Sequence, residues 1–532
     1  MAGLSAYPEA DVSRYTLVKS GQYYDSVTLM QVAQALTELD GVEDAAVVMG
    51  TPANKGILSS ADLLTAEAQA AAADDLIIAV RASTEAQALA ALAATEGLLK
   101  ASRAPKGGGS ETPTPRTLAA AAAQLPEAQM ALISVAGRYA AGVGQDALSR
   151  GLHVFLFSDN VPVEDEIALK QLGREKGLLV MGPDAGTAII NGVALGFANA
   201  VISGPVGVVA ASGTGLQSVT CDLTRLGIGI TQAIGTGGRD LSAAVGGVMM
   251  IEGIKALQAD PATEVLLLVS KPPAPEIAEI VLEQLRSGNK PSVVCFLGGD
   301  RKAIKATGAV PAATLEEAAI LAAALAKGES KKAARRSLAS RDELLAAQAK
   351  SLQPHLKPEQ RYFRGLFSGG TFCYEAQLIL AEMLGEGAVS SNAPVDKRYR
   401  MADSLVSSGH VAVDLGEDEF TVGRLHPMLD PSLRNRRILQ EARDPTTAVI
   451  LLDIVLGYGV HPDPAGAAVD AIRQAQEHLR SEGREVLFVA SVCGTEADPQ
   501  NAKAQEDRLR AAGVLVLPTN AAATKLAGYV LR

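Results

Sequence analysis

The stretch Gly207 to Asp240, GVVAASGTGLQSVTCDLTRLGIGITQAIGTGGRD, decides the fold. Val208 to Ala210 reads as a short apolar strand, and Ser212-Gly213-Thr214-Gly215 turns it sharply into a helix predicted from about Leu216 to Leu226. A second strand, Gly229 to Ile234, ends in another Gly-rich loop, Gly235-Thr236-Gly237-Gly238. Small residues at the mouth of a helix leave its first N–H groups accessible, and the helix dipole makes that mouth attractive to an anion. A plain βα turn has the same look, so one such loop settles nothing by itself.

Recurrence changes the weight of the pattern. Gly365-Leu366-Phe367-Ser368-Gly369-Gly370-Thr371 followed by Phe372 to Leu384 repeats strand, Ser-Gly turn and helix. Asp260-Pro261-Ala262-Thr263 with a strand from Glu264 to Ser270 reappears as Asp444-Pro445-Thr446-Thr447 with a strand from Ala448 to Ile454. Both copies run on to a further apolar strand, Ser292 to Leu297 and Glu485 to Val492. This is an internal duplication of an α/β domain that carries one anion-seeking helix mouth per copy.

Composition narrows the class. A chain of 532 residues is too long for one core. The net charge of −11, without a basic stripe, argues against a nucleic-acid partner. Aromatic residues make up 4% with no Trp, which suits buried parallel sheets rich in small aliphatic residues. Cys221, Cys295, Cys373 and Cys493 are scattered, form no CxxC pair, and imply a reducing compartment. No apolar run approaches the roughly 18 residues of a membrane span. The expectation is a cytoplasmic protein with no membrane partner and no metal site.

Residues 1–100 read as a small N-terminal α/β domain in the order of a ferredoxin-like half, with strands near Tyr15 to Ser20, Ala45 to Met49 and Leu76 to Ala82. Tyr23, Tyr24 and the Gly50-Thr51-Pro52 turn face a ligand, another subunit, or simply their own packing. Residues 101–116, with Gly107-Gly108-Gly109, read as a linker. Residues 117–202 form a Rossmann-like domain, in which Gly142 to Ala147 nominally satisfies G-x-G-x-x-A, a match that arises easily in Gly- and Ala-rich βαβ units. Residues 203–326 and 362–532 are the two duplicated flavodoxin-like domains. Residues 327–361, polar and basic at their start, read as a second linker holding a short helix from Asp342 to Ser351.

These features resemble the ligase halves of succinyl-CoA synthetase, and still more the FdrA family, acyl-CoA-synthetase-like proteins with both halves on one chain. The resemblance covers almost the whole sequence. Its most specific stretches are Tyr23 to Met30 (YYDSVTLM), Met49 to Asn54 (MGTPAN), Met181 to Ile190 (MGPDAGTAII) and Asp414 to Arg424 (DLGEDEFTVGR). It implies a CoA-binding-type domain at 117–202 and succinyl-CoA-synthetase-like ligase domains at 203–326 and 362–532. The family's usual first strand and Gly loop for the CoA phosphates have no counterpart where the 101–116 linker stands, so the expectation is that CoA binds weakly or not at all.

In the resembled synthetases, a histidine passes phosphate from a Gly-rich segment that corresponds here to Gly298 to Ala309, GGDRKAIKATGA. That segment holds no histidine, and Thr307 stands at about its place, without a nitrogen nucleophile. No P-loop is present either. What remains is the phosphate cradle. In those synthetases the two helix mouths face one shared phosphate, and their counterparts are Ser212, Gly213 and Thr214 in the first half and Ser368, Gly369, Gly370 and Thr371 in the second. A Cβ at Gly213 or Gly369 is then expected to block either the backbone turn or the ligand's approach. Gly237, Gly238, Arg239 and Asp184 are the candidate substrate contacts. Arg424 offers a fork for carboxylate or phosphate, and His426, before Pro427, is either a general acid or base or a turn residue.

The FdrA resemblance implies a subunit of an oxamate carbamoyltransferase of ureide catabolism, converting oxalurate and phosphate to oxamate and carbamoyl phosphate alongside companion subunits in an oligomer. The alternatives are an acyl-CoA synthetase or CoA transferase whose nucleotide-handling parts lie on a partner, and a scaffold that binds CoA or an acyl phosphate without catalysing its transfer.

Overall fold

A computed structural model describes residues 13–20, 22, 24, 26–103, 115–421 and 424–532. Tyr23 and most of the expected 101–116 linker lie outside the described residues. The chain divides into two compact units, one of residues 1–114 with Asp418–His426, the other of residues 115–417 with 427–532.

The first unit is built on three strands, Ser13–Lys19, Val42–Met49 and Leu76–Ala82, with Leu76–Ala82 central and antiparallel to both neighbours. The central strand, LIIAVRA, is apolar on both faces because both are covered. Ile78 and Val80 pack with Leu29, Leu36 and Leu99 from the helices Ser26–Thr37 and Glu85–Arg103. Ile77 and Ala79 turn the other way, to Leu58, Leu63 and Ala68 beneath the short helices Pro52–Ser60 and Ala66–Ala70. Thr51 caps the first of these by accepting the Asn54 N–H, so the Gly50-Thr51-Pro52 turn has a packing role. The helix Glu85–Arg103 also takes in the first residues of the expected linker.

The second unit holds three sheets. Met130–Ile133, His153–Leu156 and Val180–Met181 form a small parallel sheet. Gly142 to Ala147 sits inside the helix Gly137–Ser149 rather than between strand and helix, which removes the dinucleotide-loop reading. The first ligase-like sheet runs Val310–Pro311, Ser292–Phe296, Val265–Ser270, Ser203–Ala211 and Ile230–Gly235, parallel throughout. It then adds Thr187–Ile190 and Val193–Gly196 as an antiparallel hairpin on its edge. The sheet of the 203–326 domain therefore recruits strands from before residue 203, with Ile189 packed into the core shared by the two halves and Ala188 into the core on the other face. The second ligase-like sheet runs Val389–Ser391, His410–Asp414, Tyr362–Phe367, Thr447–Val455, Leu487–Cys493 and Leu515–Leu517, all parallel. In both sheets the first strand of the repeat lies inside: Ser203–Ala211 between Ile230–Gly235 and Val265–Ser270, and Tyr362–Phe367 between His410–Asp414 and Thr447–Val455, with Val389–Ser391 added at the edge of the second sheet.

The two halves share one hydrophobic core. Leu216, Val219 and Leu223 on the helix Gly213–Arg225 and Leu315 to Ala323 on Leu315–Ala326 pack with Phe372, Ala376 and Leu380 on Gly370–Leu384 and with Ala522 to Ala527 on Asn520–Val530. Buried polar ties cross the same seam. Asn199 donates to the Leu456 carbonyl and to Asp498, and Asp498 also accepts the Ala200 N–H at 2.7 Å. The expected linker 327–361 is largely a helix, Lys331–Leu352, more than twice the length expected. Leu345 and Ala349 bury one narrow stripe of it while its many charges face water.

One ionic cluster fastens the small parallel sheet's domain to the first ligase-like half. The fully buried Lys170 ammonium donates to Glu166 (2.7 Å), Asp240 (2.8 Å) and the Thr236 carbonyl (2.9 Å). Asp240 also accepts the Met249 and Met250 N–H groups and so caps the helix Val248–Ala259. Removing the cation leaves two carboxylates buried beside each other, which costs about 3–5 kcal/mol. Lys170→Met is therefore expected to lower the urea midpoint of the second unit far more than the surface change Lys255→Met. Equal midpoints for the two variants would contradict this role.

Candidate functional site

The two helix mouths meet. The Ser212 and Thr371 hydroxyls lie 2.6 Å apart and both residues are buried. Each mouth stands at the carboxyl end of an inner strand, Ser203–Ala211 and Tyr362–Phe367, where an α/β sheet opens to a ligand. Ser212 is the N-cap of Gly213–Arg225 and accepts the Gly215 N–H at 3.0 Å. The Gly213 and Thr214 N–H groups have no protein acceptor among the described residues. Gly213 has room as well: a Cβ there meets nothing nearer than the Gly186 Cα at 3.7 Å.

The second mouth is built differently. The Ser368 and Gly369 N–H groups, expected to be open to a ligand, both donate to the carboxylate of Asp453, at 2.8 and 2.7 Å. Ser368 Oγ donates to it too. Asp453 is fully buried, and Arg434 lies over it, donating to the Asp453 carbonyl at 2.6 Å and lying 3.5 Å from the carboxylate. Burial pushes Asp453 above the ordinary carboxylate range, while Arg434 and the Ser368 and Gly369 donors pull it back. The donors of this mouth that remain are those of Gly370 and Thr371, next to the first mouth.

Two more charged groups flank Gly370. A Cβ on it would lie 2.4 Å from an Asp414 carboxylate oxygen and 3.7 Å from the Lys271 ammonium. Asp414 ends the strand His410–Asp414 and is buried. Burial pushes its carboxyl up to about 7; Lys271 pulls it down, and Glu417 and Asp453 push it further up. Lys271 follows the strand Val265–Ser270 and lies 5.6 Å from the Tyr374 ring centroid. The site thus takes one cation from the first half and its carboxylates from the second.

Sequence reasoning missed Lys271, Asp414 and Asp453. The signal for Asp453 was present, a lone carboxylate in the otherwise apolar run AVILLDIV. Of the residues expected to touch substrate, Gly237 and Asp184 come together at the same sheet edge, where a Cβ on Gly237 would strike the Pro183 carbonyl. Gly238 is open and Asp184 is exposed. Arg239 is engaged elsewhere, paired with Glu166 at 2.9 Å and donating to the Val161 carbonyl. Arg424 and His426, expected within the second ligase-like domain at 362–532, fold instead with the first unit, where Arg424 lies 3.3 Å from Asp44. Loss of water holds His426 well below the usual imidazole range, at about 4, so it is uncharged at neutral pH. Thr307 ends the helix Arg301–Ala306 with its hydroxyl on the Ile304 carbonyl.

Three families match the chain in turn: an AllF heavy metal-associated domain over residues 12–115, a CoA binding domain over 202–298 and a CoA-ligase domain over 366–530. The Escherichia coli K12 protein YahF, itself uncharacterized, is 43% identical over 500 residues, covering 94% of this chain and 95% of YahF. The chain belongs to YahF's family, the FdrA-like proteins.

Within this FdrA-like chain the CoA binding match falls on 202–298, the stretch expected to be the first ligase domain. The segment matching the heavy metal-associated domain contains neither Cys nor His, so it has no thiolate or imidazole to offer a metal. Malate–CoA ligase subunit alpha of Methylorubrum extorquens is 30% identical over 173 residues, 31% of this chain and 57% of that subunit. Succinate–CoA ligase [ADP-forming] subunit alpha 2 of Archaeoglobus fulgidus is 28% identical over 177 residues, 32% and 60% of the two chains. The dinucleotide-forming acetyl-coenzyme A synthetase 1 of Ca. Korarchaeum cryptofilum aligns over 76% of this chain and 82% of its own, at 16% identity and a TM-score of 0.32, too loose a likeness to bear on the site.

The glycines of the two mouths are not equivalent. A Cβ on Gly369 would lie 2.7 Å from the Thr214 methyl and 2.9 Å from the Phe372 ring, so of the two expected effects, blocking the turn or blocking the ligand, Gly369 meets the first. Gly369→Val is expected to force the mouths apart and lower the thermal midpoint by several degrees. Gly213→Ala, which has room, is expected to leave it within about a degree. Differential scanning fluorimetry of the two variants checks this, and a Gly369→Val variant as stable as wild type contradicts the contact.

Proposed function

We propose that this FdrA-like chain transfers an acyl group to or from phosphate at the joined mouths, through an acyl phosphate and without a phosphohistidine. The observation that carries the reading is that the first-turn N–H groups of Gly213, Thr214, Gly370 and Thr371, which have no protein acceptor among the described residues, lie at one seam with the Lys271 ammonium beside Gly370. Helix-end donors and one cation suit the charge of a phosphoryl group that is attacked or expelled. The CoA-ligase and CoA binding family matches, and the partial likeness to malate–CoA and succinate–CoA ligase alpha subunits, support a ligase-type reaction in which a thiol takes the acyl group. CoA is then a substrate, and the nucleotide-handling parts belong to a partner subunit.

A second reading keeps the same intermediate type. Thr307 stands where the resembled synthetases have their histidine, so phosphate need not be relayed from a nucleotide through the protein. Inorganic phosphate attacking the carbamoyl carbon of oxalurate breaks the C–N bond and yields carbamoyl phosphate, with oxamate leaving as its nitrogen takes a proton. Positioning and charge neutralisation suffice for that step. Companion carbamoyltransferase subunits, an oligomeric assembly and a cytoplasmic site of action go with this reading. No helix among the described residues is long and apolar enough to cross a membrane.

The purified chain, alone and with candidate companions, is tested for thioester formation from CoA and an acyl phosphate, and for carbamoyl phosphate formation from oxalurate and phosphate. Thioester formation establishes the ligase-type reaction; carbamoyl phosphate formation establishes the second. Neither product in any combination, or an acid-labile phosphoryl group on a histidine, overturns the proposal.

A further inference from the structure

Lys271 stands apart from the other buried or half-buried cations of the second unit. Lys170, Arg364, Arg434 and Arg437 are each paired with a carboxylate. Lys271 is half-buried, rests on the Tyr374 ring, and has no ion pair or hydrogen-bond acceptor among the described residues. Asp414 attracts it without forming an ion pair. One Asp414 oxygen accepts the Gly416 N–H at 2.9 Å; the other faces Gly370 and has no hydrogen-bond donor among the described residues. An unpaired ammonium and the unpartnered oxygen of the buried Asp414, both beside Gly370 at the seam between two helix mouths, form an incomplete polar set that a bound anion completes.

We propose that Lys271 and Asp414, one from each half, act as a charge-and-proton pair: Lys271 neutralises the phosphoryl oxygens, and Asp414 carries the proton exchanged between nucleophile and leaving group. This rests on the acyl-phosphate reading above. As the nucleophile's X–H attacks the acyl carbon, the X–C bond forms and the bond from carbon to the phosphate oxygen breaks. The proton of X passes to the Asp414 carboxylate and from there to the departing phosphate oxygen, leaving Asp414 unchanged. In the reverse sense, the proton of attacking phosphate passes through Asp414 to the departing sulfur or nitrogen. A carboxyl that burial has pushed up to about 7 exchanges protons readily in both directions at neutral pH. The charged or titratable groups around it are Lys271, Glu417, Asp453 with its Arg434, and the buried Cys373 thiol. Asp453 is less suited to the role, because two N–H groups, a hydroxyl and Arg434 already hold its carboxylate.

A dianion bound beside Asp414 disfavours its charged form, so binding near pH 7 takes up a proton. Isothermal titration of the full chain with inorganic phosphate, acetyl phosphate and carbamoyl phosphate, in two buffers of different ionisation enthalpy, reads that proton without needing turnover. Wild type is expected to show uptake that fades well above and below pH 7. Asp414→Asn is expected to bind within about threefold of wild type with the uptake gone. Lys271→Gln is expected to weaken binding at least tenfold, with Lys271→Arg recovering part of it. Uptake retained in Asp414→Asn, full affinity in Lys271→Gln, or wild-type binding with no proton change overturns the pair and leaves the acyl-phosphate reading standing. Wild type that binds none of the three anions overturns both.

Discussion

Two helix N-termini, each carrying roughly half a positive charge, are brought together until their hydroxyls touch at 2.6 Å. Like poles at that separation repel unless negative charge lies close by. Asp453 supplies part of it, holding the Ser368 and Gly369 donors from within a buried strand, and Asp414 stands on the other side of Gly370. The second ligase-like half therefore carries built-in carboxylates, whereas the first keeps its mouth open and contributes the cation. A duplicated fold has become an asymmetric site.

The rest of the second unit holds that approach in place. Its two halves are fused through a single core of small aliphatic side chains on four helices, two from each half. Asn199, Asp498 and Arg225 tie backbone to backbone across the seam, Arg225 reaching the Val492, Gly494 and Pro518 carbonyls. Arg239, sequestered by Glu166, is part of the parallel clamp that fixes the preceding small domain through Lys170 and Asp240.

Much of this was legible in the sequence. The apolar run before Ser212, the Ser-Gly turn and the amphipathic helix after it are local signals, and they recur at Ser368 because the unit is duplicated. The meeting of the mouths was legible only through family resemblance, since no local pattern says which loops converge. Long-range roles stayed hidden for the same reason. Asp453 sits among apolar sequence neighbours, and its polar partners, Arg434 and the Ser368 loop, lie 19 and 85 residues away in sequence. Arg239 looked like a substrate contact because its partner Glu166 lies on a different domain. The helix Lys331–Leu352 was read as linker because charge dominates it and only Leu345 and Ala349 are buried. Arg424 and His426 follow a Gly-rich segment that reads as ligase sequence yet folds with the first unit.

The joined mouths are the claim on which the account stands, and a cysteine pair tests it directly. In the Ser212→Cys, Thr371→Cys double variant, mild oxidation is expected to yield a disulfide linking the two peptides within minutes, detected by mass spectrometry, since hydroxyls in contact place the two side chains within bridging reach. Millimolar acetyl phosphate or carbamoyl phosphate is expected to slow that bridge severalfold by entering between the mouths. No linked peptide, or a rate indifferent to both anions, would contradict a shared phosphate site.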